Sequence, residues 1–101
     1  MEKVAIVTGT SSGIGFEASL ALAREGYFTY ATMRDTTKSN KIKEIAQKEN
    51  LKISILELDV DDENSVKTAI AQILDQKQRI DVLVNNAGWG LWGCVEDVSV
   101  D

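Results

Sequence analysis

The chain has 101 residues, of which 44% are hydrophobic and 27% charged, a balance typical of one globular domain. Sixteen acidic and eleven basic residues give a net charge of −5, which disfavours binding to nucleic acids and to anionic membrane surfaces. The absence of His removes the usual general base and the commonest zinc ligand, and a single Cys, Cys94, excludes an internal disulfide. No signal-peptide core, membrane span or metal-ligand set is recognised, so a cytoplasmic location is expected.

Short apolar segments alternate with helical patterns along the chain. The predicted strands are Val4–Val7, Phe28–Met33, residues 53–58 and Val82–Val84. The first is apolar without alternation, which is typical of a strand buried on both faces of a parallel sheet. Its successors follow at intervals of about 25 residues, the length of a strand, a crossover helix and two short loops.

Three crossover helices are predicted between these strands. The first ends at Gly26 and is expected to bury four apolar residues, Ile14, Ala18, Ala21 and Leu22. The second covers residues 38–47 and buries Ile42, Ile45 and Ala46. The third is expected to have Asp61 as its N-cap and to bury Val66, Ile70, Ile73 and Leu74.

This order of elements predicts an α/β fold. We expect a Rossmann-type, doubly wound parallel sheet that is partial, with about four strands in the order 3-2-1-4 and three crossover helices. A remnant of this kind leaves its fourth strand as an apolar edge, which complete proteins normally cover. Residues 1–101 are therefore expected to be the N-terminal part of a longer domain of this fold.

Six of the seven glycines form two clusters, each after a predicted strand: Gly9, Gly13 and Gly15, and Gly88, Gly90 and Gly93. The first and fourth strands are neighbours in the predicted order, and the topology reverses between them. Both clusters therefore border the crevice in which such sheets bind ligands.

The first cluster lies in the segment Thr8-Gly9-Thr10-Ser11-Ser12-Gly13-Ile14-Gly15. Its glycines allow a tight turn and let the backbone approach a pyrophosphate, and the helix that follows presents free N–H groups to the phosphates. Ser11 and Ser12 add hydroxyl donors. The alternative is a glycine-rich turn without a ligand. The loop lacks the Gly-Lys-Ser/Thr of a P-loop, which removes the main support for a kinase or an ATPase.

The residues after the second strand indicate the type of cofactor. An acidic residue there would hold both ribose hydroxyls of NAD, whereas a basic residue would accept the 2′-phosphate of NADP. The chain has Arg34 followed by Asp35. Arg34 comes first at the end of the strand, so NADP is favoured over NAD, and Asp35 is expected to cap the following turn. A solvated Arg-Asp pair is the alternative.

Three motifs together resemble the short-chain dehydrogenase/reductase family. They are Thr8-Gly9-x-x-x-Gly13-Ile14-Gly15, Leu58-Asp59-Val60 and Asn85-Asn86-Ala87-Gly88. The segment from Tyr30 to Asp35, with that from Gly88 to Gly93, is similar to the retinol and hydroxysteroid dehydrogenase branch. The resemblance covers the chain from Val4 to about Ser99.

The resemblance implies a role for each matching residue. The pyrophosphate would be lined by Gly9, Ser11, Ser12, Gly13, Ile14 and Gly15. Arg34 would meet the 2′-phosphate, Asp59 would hydrogen-bond the adenine, and Val60 would pack on it. Asn86, Ala87 and Gly88 would run beside the adenosine ribose, while Asn85 would tie the fourth strand to its neighbours. For Asp59 the alternative is an Asx-turn, and for the two asparagines it is loop closure.

The family's catalytic Ser and Tyr-x-x-x-Lys are not present in these residues. Tyr27 and Tyr30 are predicted in the second strand and are followed four residues on by Ala31 and Arg34, so neither can act as the proton donor. Trp89, Leu91 and Trp92 are interpreted as contacts to further C-terminal elements, and Cys94 as a small buried side chain.

The leading hypothesis is the cofactor-binding half of an NADP-dependent oxidoreductase that transfers hydride between nicotinamide and an alcohol or carbonyl substrate. By resemblance, the complete protein would form a homo-oligomer. The alternative is a non-catalytic, truncated nucleotide-binding module. A methyltransferase is a weaker third hypothesis, because an acidic residue is expected where Met33 or Arg34 stands.

Overall fold

A computed structural model of the chain describes residues 2–11 and 13–86. Its elements, in chain order, are β1 (Val4–Val7), α1 (Gly13–Arg24), β2 (Phe28–Met33), a 3-10 helix (Thr36–Ser39), α2 (Asn40–Glu49), β3 (Ile53–Glu57), α3 (Glu63–Lys77) and β4 (Val82–Val84). The strands form one parallel sheet in the order β3-β2-β1-β4. The predicted α/β fold and strand order are confirmed.

Helices cover both faces of the sheet. On one face, Ile73 of α3 belongs to a buried cluster with Val4, Ile6 and Tyr30. On the other face, Leu20 of α1 and Ile42 of α2 pack in a cluster that contains Ala31 and Met33 of β2. Burial of apolar area on both faces is the main source of stability in such a sheet. The predicted doubly wound arrangement is therefore present.

The central strand β1 is buried on both faces, since its four residues are between 0% and 1% exposed. This explains why its sequence shows no alternation of apolar and polar residues. Val7 lies opposite Ala31 of β2 and Val84 of β4. The three strands therefore end at the same edge of the sheet, where the loops that follow them meet.

Helix α1 buries a different face from the one predicted. Ile14 is 76% exposed and Ala21 is exposed, whereas Gly15, Ser19 and Leu20 are buried. Ala18 and Leu22 of the predicted stripe are only half-buried. The physical reason is the close approach of Gly15 to the loop after β1, which sets the rotation of the helix about its axis. The hydroxyl of Ser19 is satisfied within the helix by donating to the carbonyl of Gly15 over 2.9 Å.

Helix α3 begins one residue later than predicted. Its N-cap is Asp62, whose Oδ1 accepts from the backbone N–H groups of Asn64 at 3.0 Å and Ser65 at 3.3 Å. The predicted cap, Asp61, is wrong because its own N–H donates to Asp59 in an Asx-turn that precedes the helix. The predicted buried stripe is confirmed for Val66 and Ile73, with Ile70 and Leu74 partly buried and Ala69 added.

The other element boundaries differ little from the prediction. A 3-10 turn precedes α2, so this helix covers Asn40–Glu49 rather than residues 38–47, and it ends at Asn50 in the left-handed conformation. Strand β3 ends at Glu57, although the N–H of Leu58 still donates to Met33 over 3.0 Å. The predicted apolar side of α2 is confirmed, with Ile42 and Ala46 buried and Ile45 half-buried. None of the helices in the described part of the chain is long and apolar enough to span a membrane.

Candidate functional site

A cavity of about 280 Å³ opens at the ends of three neighbouring strands, β1, β2 and β3. It is lined by Gly9, Ser11, Met33, Arg34, Leu58, Asp59 and Val60. Five of these residues were predicted from the sequence to form a ligand site, and they come from three separate loops. The fold therefore brings together the glycine loop, the basic residue after β2 and the segment after β3.

The glycine loop has a backbone that other residues would adopt only with strain. Gly9 has φ 64° and Gly13 has φ 67°, both in the left-handed region that favours glycine. A Cβ on Gly13 would meet no atom within 4 Å, so the missing side chain leaves open space at the start of α1. The backbone is therefore accessible to a ligand at this point.

Gly15 is required for a different reason, which is close packing. A Cβ on this residue would overlap with the carbonyl of Gly9 and would lie 2.8 Å from Nδ2 of Asn86. The absence of a side chain lets α1 start directly against the loop after β1. The first turn of α1 also carries no acidic residue that would compete with an anion for its free N–H groups. These features fit a dinucleotide pyrophosphate.

Buried threonines that were not predicted as site residues hold the glycine loop against β2. The backbone N–H and hydroxyl of Thr10 both donate to the carbonyl of Thr32, at 3.2 Å and 3.0 Å. The hydroxyl of Thr32 in turn donates to the carbonyl of Val7 over 2.9 Å. The only signal in the sequence is the presence of Thr at strand ends within apolar surroundings, which is too common to identify such a network.

A second set of contacts joins the glycine loop to the end of β4. The N–H of Asn86 donates to the hydroxyl of Thr8 over 3.0 Å, and its Nδ2 donates to the carbonyl of Gly9 over 3.2 Å. The hydroxyl of Thr8 also lies 3.3 Å from Oδ1 of Asn85. Both asparagines therefore close loops between β1 and β4, as the alternative interpretation of the sequence expected. The position beside an adenosine ribose implied for Asn86 stays a prediction.

The side chains of Arg34 and Asp35, which follow β2, have different surroundings. Arg34 is exposed and lines the cavity. Asp35 caps the 3-10 helix that starts at Thr36, and Thr37 donates to its Oδ1 from both the backbone N–H and the hydroxyl. These bonds, the hydroxyl first, hold the pKa of the Asp35 carboxyl below its usual value. No ion pair joins Arg34 and Asp35 in the described part of the chain, and the predicted cap at Asp35 is present. Both side chains are exposed, so a solvated pair without a ligand stays the alternative.

Asp59 and Val60 also line the cavity, and both are half-buried. The N–H of Asp59 donates to the hydroxyl of Ser65 over 2.9 Å, which connects the segment to α3. Oδ1 of Asp59 accepts from Asp61, so the Asx-turn interpretation is present as well. The contacts to adenine implied for Asp59 and Val60 stay predictions.

The two tyrosines, Tyr27 and Tyr30, lie outside this cavity. Tyr30 is 2% exposed, and its hydroxyl donates to Oε1 of Gln76 on α3 over 2.9 Å. Burial raises the pKa of this phenol. Tyr27 lies one residue before β2, outside the strand in which it was predicted. Neither residue lines the cavity.

Several predicted residues lie outside the described part of the chain. Among the candidate binding residues these are Ser12, Ala87 and Gly88. The same holds for the interpretations of Trp89, Leu91, Trp92 and Cys94. Of the remaining candidates, Gly13, Ile14 and Gly15 in the first turn of α1, and Asn86 after β4, do not line the cavity beside Arg34.

The family model for short chain dehydrogenase matches residues 3–100. The chain belongs to this family. The resemblance to the short-chain dehydrogenase/reductase family, which the three motifs indicated, is thereby confirmed over nearly the whole sequence.

Curated relatives and solved structures agree with this assignment. The chain is 41% identical over 99% of its length to the uncharacterized oxidoreductase YusZ of Bacillus subtilis, of which it covers 36%. It is also 41% identical, over 92% of its length, to 17-beta-hydroxysteroid dehydrogenase type 1 of Mus musculus, of which it covers 28%. An actinorhodin polyketide ketoreductase crystallised with NADPH superposes with a TM-score of 0.79 at 28% identity, over 88% of this chain and 34% of that structure. The chain spans about a third of the length of the relatives it matches.

Proposed function

We propose that this chain is the NADP-binding part of an oxidoreductase that transfers hydride between nicotinamide and an alcohol or carbonyl substrate. The observation that carries the proposal is the cavity of about 280 Å³ in which Arg34 faces the same space as the glycine loop and Asp59. A cofactor bound across these strand ends supplies the redox chemistry, and the protein supplies binding and orientation.

The residues of the site divide between the parts of the cofactor. Gly9, Gly13 and Gly15, with the N-terminus of α1, would hold the pyrophosphate. Arg34 would accept the 2′-phosphate, since a planar guanidinium forms paired, charge-assisted hydrogen bonds with phosphate oxygens. Asp59 would hydrogen-bond the adenine. Ser11, Ser12 and Ile14 complete the proposed pyrophosphate site, and Val60, Asn86, Ala87 and Gly88 complete the proposed adenosine site.

Cofactor choice is supported by the geometry of the turn after β2. Arg34 lines the cavity, whereas the neighbouring carboxylate of Asp35 is engaged by Thr37. The polyketide ketoreductase that shares the fold was crystallised with NADPH. Both observations favour NADP over NAD as the cofactor of this protein.

The test uses the full-length protein encoded by this reading frame and two nucleotides that differ in one phosphate, 2′,5′-ADP and 5′-ADP. Isothermal titration calorimetry is expected to show tighter binding of 2′,5′-ADP. Arg34→Gln should weaken that binding roughly 10- to 100-fold and leave 5′-ADP unaffected, because a hydrogen-bonded charge contributes about 1.5–3 kcal/mol. Lys48→Gln, which removes one exposed charge at the far end of α2, is the control. Equal affinities of the wild-type protein for both nucleotides would exclude NADP specificity.

Because the relatives are about three times as long, we propose that residues 1–101 are the N-terminal part of a longer domain. The coding frame is then expected to continue through a Ser and a Tyr-x-x-x-Lys. A stop codon after Asp101 would instead leave a nucleotide-binding module, and the dehydrogenase activity would be withdrawn. A cytoplasmic homo-oligomer acting on a small alcohol or carbonyl compound is part of the same proposal.

A further inference from the structure

The carboxylate of Asp35 is bound within the turn that follows β2. Its Oδ1 accepts two hydrogen bonds from Thr37, one from the backbone N–H at 3.0 Å and one from the hydroxyl at 2.6 Å. The backbone of Asp35 is extended, with φ −117° and ψ 101°, as is usual for a residue that caps a helix. The side chain is thus turned toward the 3-10 helix Thr36–Ser39.

This turn brings two opposite cofactor determinants side by side. A carboxylate at the end of the second strand holds both ribose hydroxyls of NAD, and it repels the 2′-phosphate of NADP. Arg34 provides the opposite preference and lines the cavity, whereas Asp35 is not among the residues that line it. The outcome therefore depends on which of the two side chains is available to the ribose.

The contacts of Thr37 decide this competition. Holding two ribose hydroxyls requires both carboxylate oxygens, and one oxygen of Asp35 already has two donors. The short hydroxyl bond is charge-assisted and stronger than a bond between neutral groups. As long as this bond is formed, the carboxylate stays in the cap and a bound ribose would be left to Arg34.

We propose that Thr37 determines cofactor specificity by holding the Asp35 carboxylate in the helix cap, so that the adenosine ribose is left to Arg34. The inference rests on the NADP-binding function proposed above. Thr37 is a positioning residue, since it acts through Asp35 and lines no part of the cavity. Removal of its hydroxyl leaves the carboxylate with only the backbone N–H of Thr37 as a donor, which should favour its turning toward the ribose diol of NAD.

The decisive variant is Thr37→Val, which keeps the β-branched shape and the backbone N–H but removes the hydroxyl. In the full-length protein, the ratio of affinities for 2′,5′-ADP over 5′-ADP should fall about three- to tenfold, the effect of one side-chain hydrogen bond. The change should include tighter binding of 5′-ADP. Thr37→Ser should retain the wild-type ratio. Thr36→Val is the matched control, because the Thr36 hydroxyl makes no hydrogen bond within residues 2–11 and 13–86.

A second pair of variants tests the role of the carboxylate directly. Asp35→Asn keeps a capping side chain but removes the charge, so Thr37→Val should leave the affinity ratio unchanged in an Asp35→Asn background. Asp35→Asn alone should not weaken 5′-ADP binding, because the carboxylate is not in contact with the ribose in the wild-type protein.

The results distinguish this inference from the function on which it rests. If the wild-type protein prefers 2′,5′-ADP but Thr37→Val keeps the same ratio, the proposed role of Thr37 is wrong while the NADP assignment stands. Equal weakening of both nucleotides by Thr37→Val would also overturn it, because that result indicates a purely structural turn. Loss of 5′-ADP binding in Asp35→Asn would show that the carboxylate already contacts the ribose. If the wild-type protein shows no preference between the nucleotides, the NADP proposal fails, and the role of Thr37 fails with it.

Discussion

The backbone of Gly15 lies so close to the carbonyl of Gly9 that a Cβ at Gly15 would overlap with it. This contact holds the first turn of α1 against the loop after β1. It also explains why α1 buries Gly15 and Ser19 rather than Ile14. One glycine therefore sets both the position of the first turn of α1 against the loop after β1 and the face of the helix that is buried.

Substitutions at the two helix-start glycines should have different effects. Gly15→Ala forces atoms apart and is expected to cost about 1–3 kcal/mol of unfolding free energy, and Gly15→Asn more. Gly13→Ala places a methyl group in open space but forces Ala into a left-handed backbone conformation, which costs about 1 kcal/mol of unfolding free energy. Gly13→Asn should cost less, because Asn tolerates this conformation. Urea unfolding of the full-length protein measures the four values. If Asn lowers the unfolding free energy more than Ala at both positions, the left-handed backbone is not the reason for glycine at position 13.

The buried face of α1 can be tested with one exposed and one buried residue. Ile14→Gln should change the stability by less than about 0.5 kcal/mol, because the side chain is 76% exposed. Leu20→Ala should cost about 2–5 kcal/mol, because Leu20 is 2% exposed and packs in the cluster with Met33 and Ile42. Thermal unfolding compares the two variants. A larger loss of stability in Ile14→Gln than in Leu20→Ala would indicate that α1 buries the face predicted from the sequence.

The hydroxyl of Thr8 should connect stability to ligand binding. Thr8→Val leaves the N–H of Asn86 without its acceptor, and we expect a loss of about 1–2 kcal/mol together with weaker binding of 2′,5′-ADP. Thr29→Val is the control, because the hydroxyl of this equally buried residue donates locally to Tyr27 over 3.2 Å at the other end of β2. Chemical unfolding and calorimetric titration of both variants test the connection. If the Thr8→Val and Thr29→Val variants bind 2′,5′-ADP with equal affinity, the Thr8 hydroxyl contributes to folding and not to ligand binding.

Acid should weaken the attachment of β4 to β1. The Arg79 guanidinium, followed by the N–H of Val4, holds the pKa of the Asp81 carboxyl below its usual value. Because the folded-state pKa is depressed, this stabilisation is complete above the unfolded-state pKa of about 4 and is lost as the pH falls through the folded-state value.

Asp81→Asn is therefore expected to lower stability by about 1–2 kcal/mol at pH 7, with the difference shrinking in acid. Asp75→Asn, at an exposed position of α3, is the control and should have an effect below about 0.5 kcal/mol. Urea unfolding between pH 7 and pH 3 gives the comparison. A stability difference that stays constant over this range would exclude the carboxylate as its cause.

Much of the fold could be predicted because its signals are local. The apolar run Val4–Val7 indicates a strand buried on both faces, and the glycines that follow indicate a turn into a helix. Gly9, Ser11 and Arg34 were assigned to a site because they follow predicted strands, and parallel strands end at one edge of the sheet. Asp59 and Val60 were assigned because the family resemblance implied it, and they line the same cavity. The order of elements along the chain thus determined the architecture and the position of the site.

The tertiary structure decided what depends on contacts between distant residues. The rotation of α1 follows from the approach of Gly15 to Gly9 and not from its most apolar stripe, since a steric overlap outweighs the burial of one Ile side chain. The roles of Thr8, Thr10 and Thr32 depend on carbonyls supplied by other strands. The sequence by itself determined which residues stand at the end of β2, whereas the tertiary structure decided that Asp35 turns into the cap, where Thr37 donates to its carboxylate, and that Arg34 lines the cavity.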